Sequence, residues 1–256
     1  MSGLKSGFSF DFEWRITLFT VVMVPLMISL GFWQLQRAEE KASLALSFEE
    51  RQQQRPAPLI ELWNTPADAL AYTRVRMSGT FLPDAYFLLD NQVRNGQFGY
   101  EVLGILQLSD AAGAVLVNRG WIAGDAARQS LPQVPLVRGP VDITAHIYVA
   151  PGEPYLLAEQ KLDNAWPKRI QAVEMNKLIP AVAGLSHGKV FPFPVRIDAS
   201  AQGALAVNWQ VVNMSPQMHH GYAVQWFAMA VVLLVFYLLR SSNVWQLITG
   251  SGRAGE

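Results

Sequence analysis

A polar and aromatic group of residues stands where a long apolar run begins near the C-terminus. His219, Tyr222 and Trp226 are three and four residues apart, so a helix that starts near position 218 places them on one face. An imidazole there could coordinate a haem iron, because histidine is a common axial haem ligand and aromatic side chains suit a porphyrin. The competing interpretation is that His219 and His220 are ordinary interfacial residues at the headgroup level. These residues by themselves leave both interpretations open.

Three basic residues could complement the acidic groups of such a ligand. Arg37 and Lys41 follow the first apolar run at i, i+4 spacing, and they could bind haem propionates. Arg119, within "VNRGWI", could be a fixed cation for an anionic group, since the guanidinium is planar and permanently charged. The alternative is a strand that runs into a glycine turn, with Trp121 in the core and Arg119 solvated or paired. Both interpretations of Arg119 stay open.

A third motif could carry nucleophilic chemistry. "GLSHG", residues 184–188, matches the G-x-S-x-G elbow of serine hydrolases, and Asp198 and His219 follow in the order of those enzymes. An elbow lies between a strand and a following helix, whereas here the prolines of "VFPFP" follow and bar a helix. The pattern therefore favours a connecting turn around Ser186 and leaves a membrane-anchored serine hydrolase as a distant third function.

Two apolar segments must position these residues. Residues 16–36 and 221–239 are 21 and 19 residues without a charge, each long enough to cross a bilayer as a helix. The first is too long for the apolar region of a signal peptide and lacks a small-x-small cleavage site, so we expect an uncleaved anchor. Tryptophan and tyrosine near the ends of both runs fit an aromatic belt.

The two predicted spans divide the chain into five parts. We expect a cytoplasmic segment at 1–15, membrane helices at 16–36 and 219–239, a periplasmic domain at 37–218 and a cytoplasmic tail at 240–256. Lysine and arginine are absent between Ile197 and Leu239, but Arg240 and Arg253 follow the second span. Because positive residues favour the cytoplasmic side, both termini are predicted to be cytoplasmic and the large domain periplasmic, anchored in the inner membrane.

The middle of the chain has the pattern of a β-rich domain. Short runs rich in valine, isoleucine, threonine and aromatics alternate with glycine, proline, asparagine and aspartate. Strands are predicted at 73–82, 85–92, 100–108, 114–122, 141–149, 191–199 and 207–213, with one helix over 172–182 and a helical extension of the first span beyond residue 37. The predicted fold class is a membrane α+β protein, in which two transmembrane helices flank a mostly antiparallel β domain.

The amino-acid composition excludes several kinds of site and argues against one class of partner. The chain is 51% hydrophobic and 16% charged, with a net charge of +0, which fits a membrane protein with a soluble domain and argues against a nucleic-acid partner. Cysteine is absent, so a disulfide framework, a thiolate metal site and a cysteine nucleophile are excluded.

Several motifs together resemble one known family. The stretches "GFWQLQRAEEK", "YTRVRMSGTF", "VNRGWI", "WPKRIQ" and "SPQMHHGYAVQWF" occur in order between and around the two spans. In this they are similar to the SURF1 family of cytochrome c oxidase assembly proteins, in its bacterial form.

The resemblance implies a non-enzymatic factor that binds haem a transiently and assists its insertion into oxidase subunit I. Haem a synthase and the lipid bilayer are further implied partners. The family's haem-binding histidine corresponds to His219, with Tyr222, Trp226, Arg37 and Arg119 as further candidate cofactor-binding residues. The usual P-E-K-H appears here as "PQMH", which loses two charges and adds His220, Met214 and Met218 as conceivable alternative ligands. A protein-protein scaffold that never holds haem would carry the same motifs.

Overall fold

A computed structural model describes residues 9–110, 113–150, 152, 154, 156, 159–209 and 214–245. The chain forms two compact units. The first combines Met1–Ser47 with Val211–Glu256, and the second is Phe48–Gln210. The first unit is helical and the second is built mainly of strands, which confirms the predicted fold class.

The helical unit contains the two long apolar helices. Helix α1, Trp14–Gln53, has 40 residues, and helix α4, Pro216–Ser241, has 26. Both are long and apolar enough to cross a membrane, as the sequence predicts. Helix α1 also continues well beyond residue 37, as expected, and Pro25 lies inside it. Pro216 is tolerated in the first turn of α4, where a backbone N–H has no helical partner.

Small side chains are buried on both of the two long helices. The buried positions of α1 include Gly31 and Ala38, seven residues apart, and those of α4 include Ala223 and Ala230, also seven apart. A Cβ atom at Gly31 would lie 2.5 Å from Cε1 of Phe227. Glycine is therefore needed for this approach, as is common where helices pack in membranes.

The contacts also give the helices an antiparallel arrangement. Thr17, early in α1, lies 3.0 Å from the hydroxyl of Tyr237, late in α4. Beside them the backbone N–H of Asp11 donates to the carbonyl of Ser241 at 2.7 Å. The opposite end of the pair therefore holds the end of the first apolar run and the start of the second.

The second unit is a small β-barrel with short accessory elements. Its strands are β1 Ala57–Pro58, β2 Arg74–Arg94, β3 Gln97–Leu108, β4 Gly113–Ala123, β5 Pro140–Ile147, β6 Lys168–Ile170, β7 Lys189–Val190 and β8 Val195–Ile197. Its helices are α2 Ala67–Leu70 and α3 Met175–Ala183, with a 3-10 turn at Leu59–Leu62. The long strands β2, β3 and β4 pair antiparallel in that order. The sheet continues from β4 through β8 to β5, and β5 pairs with β2, which closes the ring.

Alternation along the strands separates an inner and an outer core. Inward side chains such as Val75, Phe81 and Val117 fill the barrel. The outward Leu103 and Leu116 instead pack with α3. Residues that alternate with the inner core therefore face outward.

Four predictions differ from the structure. The strands predicted at 73–82 and 85–92 form the single strand β2, because an irregular register between Phe81 and Tyr86 lets the chain bend without ending. The strand at 191–199 shrinks to β8, since Pro192 and Pro194 lack the N–H groups that a ladder needs. Residues 207–209 are not a strand, and 210–213 lie outside the described residues. The predicted helix at 172–182 begins later, at Met175.

Candidate functional site

His219 lies in the first turn of α4 and is buried, with 9% of its surface exposed. Its Nδ1 is 2.7 Å from Oε1 of Gln34, near the end of the apolar part of α1. An amide oxygen only accepts, so Nδ1 carries the proton and donates it. In a neutral imidazole Nε2 then keeps its lone pair, and this nitrogen is buried with no hydrogen-bonding partner among the described residues.

This arrangement is the one that a metal-binding imidazole requires. Ligating histidines donate their second ring N–H to a carbonyl or carboxylate, which fixes the tautomer and the ring orientation. Gln34 provides such an acceptor for His219. The buried Nε2 is also costly when unpaired, so the site has an unsatisfied acceptor that an electrophile would satisfy.

The other candidate residues on α4 and before it differ in how far they are buried. Trp226 is half-buried and lies two helical turns beyond His219, whereas Tyr222 is 40% exposed at the edge of that face. The alternative ligands His220 and Met218 are both exposed, and Met214 is half-buried.

Arg37 lies on α1 three residues after Gln34. Its guanidinium is about half exposed, donates to Glu40 Oε2 at 2.6 Å and stacks over Trp33 at 5.7 Å. Lys41, which the sequence analysis grouped with it, is half-buried one turn further on. An anionic ligand group at Arg37 would therefore compete with Glu40, in a solvated pair of modest strength.

Arg119 belongs to the barrel unit and is almost fully buried. Its Nε donates to the carbonyl of Gly203 at 2.8 Å and its Nη2 to the carbonyl of Pro135 at 2.9 Å, while the guanidinium lies 5.4 Å from the ring centre of Phe81. Burial lowers the pKa of Arg119, and nearby Tyr86 acts in the opposite direction. Arg119 is therefore not solvated, as the alternative interpretation allowed, but is hydrogen-bonded to two backbone carbonyls. A role toward an anionic ligand stays a prediction.

The "GLSHG" segment is a turn after α3. Ser186 Oγ donates to the carbonyl of Val182 at 3.0 Å, and the backbone N–H of His187 donates to Gln107 Oε1 at 2.9 Å. Asp198 is engaged by Arg74 at 2.9 Å. A helix precedes this serine and a two-residue strand follows it, so the strand–turn–helix context of a nucleophile elbow is missing here.

Gln34 is the residue that the sequence analysis did not recognise as part of the site. Its signal was present, because an amide at the end of an apolar span is expensive in lipid unless it finds a hydrogen-bonding partner. The partner is 185 positions away in sequence, and only the packing of α1 against α4 shows it. Among the described residues no cluster of three or more potential metal-binding His, Cys, Asp or Glu side chains occurs.

Comparison with known proteins agrees with the motifs. The SURF1 family profile matches residues 21–231, most of the chain. A SURF1-like protein of Rickettsia felis is 25% identical over 245 residues, which cover 90% of this chain and 98% of that protein. A SURF1-like protein of Rickettsia conorii is 27% identical over 84% of this chain and 86% of its own length.

A more distant relative carries a more specific description. The cytochrome oxidase assembly protein SHY1 of Saccharomyces cerevisiae is 29% identical over 116 residues, 44% of this chain and 30% of its own. The family match covers all the strands and large parts of both long helices. This chain belongs to the SURF1 family.

Proposed function

We propose that this protein is a membrane-bound assembly factor for cytochrome c oxidase that binds haem a and assists its insertion into oxidase subunit I. Family membership and the description of the yeast relative support the assembly role. The observation that carries haem binding is the His219 imidazole, oriented by Gln34 with its Nε2 buried and unpaired.

Each residue of the site has a distinct task in this proposal. His219 Nε2 binds the iron of the cargo, and Gln34 holds the tautomer that leaves this nitrogen free. Trp226 and Tyr222 offer aromatic surface to the porphyrin, and Arg37 exchanges Glu40 for a propionate. Because Nε2 is buried, a covering side chain must move before an iron reaches it, and the same movement would release the haem.

The second candidate is a scaffold for oxidase assembly that holds no haem. The existing Arg37–Glu40 ion pair favours it, since the guanidinium that would bind a propionate is already engaged. The two functions differ in whether the purified protein carries haem a. Haem occupancy is therefore the quantity to measure.

A Gln34→Leu variant tests the proposed ligand arrangement. We expect the wild-type chain, co-expressed with a haem a biosynthetic system, to show a Soret band, and Gln34→Leu to bind haem about 10 to 100 times more weakly, because loss of an orienting partner usually costs that much. Gln34→Glu keeps an acceptor for Nδ1–H and should restore binding. Gln36→Leu, at an exposed position two residues on, is the matched control. A wild-type protein without pigment would instead establish the scaffold.

We further propose that the barrel lies on the periplasmic side of the inner membrane, with both termini in the cytoplasm. The two apolar helices fit a membrane-anchored protein, and Arg240 lies in the last turn of α4 after a long stretch without basic residues. Alkaline phosphatase fused after residue 100 should be active, and phosphatase fused after Arg253 should be inactive. The reverse pattern would overturn this orientation.

A further inference from the structure

A row of polar side chains crosses the outer face of the barrel. Asn118 on β4 pairs with Arg196 on β8, Arg196 pairs with His146 on β5, and His146 pairs with Arg74 on β2. Partners in neighbouring strands point to the same side of a sheet. The residues adjacent to them in the chain point inward and fill the barrel, among them Val75, Val117, Val195 and Ile147.

The two arginines of this row differ in their partners. Arg74 Nη2 is 2.9 Å from Asp198 Oδ2, and its Nη1 donates to the carbonyl of Gln52 at 3.1 Å. Within the described part of the chain, Arg196 has neither an ion pair nor a hydrogen bond, and its Nε is buried without a partner. Arg74 is thus an ion-paired cation whose Nε alone has no partner among the described residues, whereas Arg196 has no hydrogen-bonding or ionic partner there.

Aromatic rings hold Arg196 in place. Its Cζ lies 3.7 Å from the ring centre of Tyr148 and 5.0 Å from that of Trp209, whose own N–H donates to the carbonyl of Ile197 at 2.7 Å. Cation–π contacts fix the plane of the guanidinium without using its N–H groups. The side chain is therefore oriented in advance, which lowers the entropy cost of binding a ligand.

His146, between the two arginines, does not compensate their charge. It is 2% exposed, and neither ring nitrogen has a hydrogen-bonding partner in the part of the chain that the structure describes. Its ring lies 5.6 Å from the ring of Phe48 and 6.3 Å from that of Trp209. Burial, and then the charge of Arg196, lower its pKa to about 4, with Arg74 acting in the same direction and Asp198 opposing them. At neutral pH His146 is uncharged, so the positive charge of Arg196 stays available.

Arg196 also lines a large cavity on this outer face. The cavity has a volume of about 820 Å³, within the range of ligand sites, and its wall includes Tyr148, Asn118 and Phe193. Two carboxylates line the same cavity. Glu101 accepts a hydrogen bond from Asn118 at 2.7 Å, and Glu174 Oε1 is 3.2 Å from Lys177 Nζ. Glu174 Oε2 is buried and has no hydrogen-bonding partner within the described ranges.

We propose that this cavity binds the free carboxyl terminus of a polypeptide, with the terminal carboxylate on Arg196 and a peptide N–H on Glu174. A guanidinium matches a carboxylate in shape and charge, and two parallel N–H···O bonds can form between them. The unpaired Glu174 oxygen requires a donor, which a peptide carries and a simple carboxylic acid lacks. The apolar walls provided by Leu103 and Phe193 suit the side chains of such a segment.

The test uses the full chain in detergent and ligand-observed NMR titrations. The probes are acetyl-tetraalanine as the free acid, the same peptide as its C-terminal amide, and hexanoate. We expect the acid to bind at least about tenfold more tightly than the amide, because the charge-assisted pair forms only with the acid. Hexanoate should bind more weakly than the peptide acid, since it offers no N–H donor.

Arginine substitutions test whether Arg196 causes the preference for the peptide acid over the amide. Arg196→Gln should abolish the preference for the acid, and Arg196→Lys, which keeps the charge but loses the planar fork, should reduce it. Arg138→Gln removes an equal charge from an exposed position and should leave the preference intact. Equal binding of acid and amide, no binding of either, or an unchanged preference in both Arg196 variants would overturn the proposal. Hexanoate binding as tightly as the peptide acid would refute the polypeptide assignment.

Discussion

His219→Ala should reduce haem a occupancy by more than about 100-fold while the protein still folds and inserts. Loss of an orienting partner alone typically costs 10- to 100-fold, and loss of the ligand itself should cost more. Alanine is small and a good helix former, so α4 should persist. The measurement is the Soret absorbance per mole of purified, membrane-inserted protein after co-expression with a haem a biosynthetic system.

His220→Ala is the matched control for this substitution. One position along a helix turns a side chain by about 100 degrees, and His220 is exposed where His219 is buried against Gln34. We expect its haem occupancy to stay near that of the wild type. If His219→Ala keeps haem and His220→Ala loses it, the axial ligand is His220 and not His219. Unchanged occupancy in both variants would favour the scaffold.

Arg119→Ala should destabilise the barrel by about 3 kcal/mol or more. The substitution removes two charge-assisted hydrogen bonds, leaves the carbonyls of Gly203 and Pro135 unpaired, and opens a void beside Phe81. The measurement is urea unfolding in detergent, followed by tryptophan fluorescence and compared with the wild type.

Arg128→Ala is the control for Arg119. Arg128 stacks on Phe98 at 4.2 Å and bonds Asn91, but its side chain is about half exposed, so its loss should cost less than about 1 kcal/mol. Haem occupancy of the folded fraction should be the same in both variants if Arg119 only packs the barrel. Lower occupancy at unchanged stability would instead support Arg119 as a cation for the bound ligand.

The alternation of long apolar runs and short β-prone runs determined most of the architecture. Two uncharged runs of about 20 residues can satisfy their backbone only as helices in lipid, so their helical form follows from composition. Strands such as β3 and β4 could be predicted from the sequence because valine, isoleucine and aromatic residues recur between turn residues. The candidate ligand His219 was also readable, since it stands at the start of an apolar helix in a distinctive motif.

Pairings distant in sequence were decided by the tertiary structure. The bond between Gln34 and His219 depends on α1 and α4 packing around Gly31, and no local pattern encodes a partner 185 residues away. Closure of the barrel by β5 against β2 likewise aligns Arg74, His146 and Arg196, which are scattered along the chain. Local propensity acts over a few residues, whereas burial and hydrogen bonding join any groups that the fold brings together. For that reason only the structure showed that Arg74 and Arg119 have polar partners, whereas Arg196 has none among the residues that the structure describes.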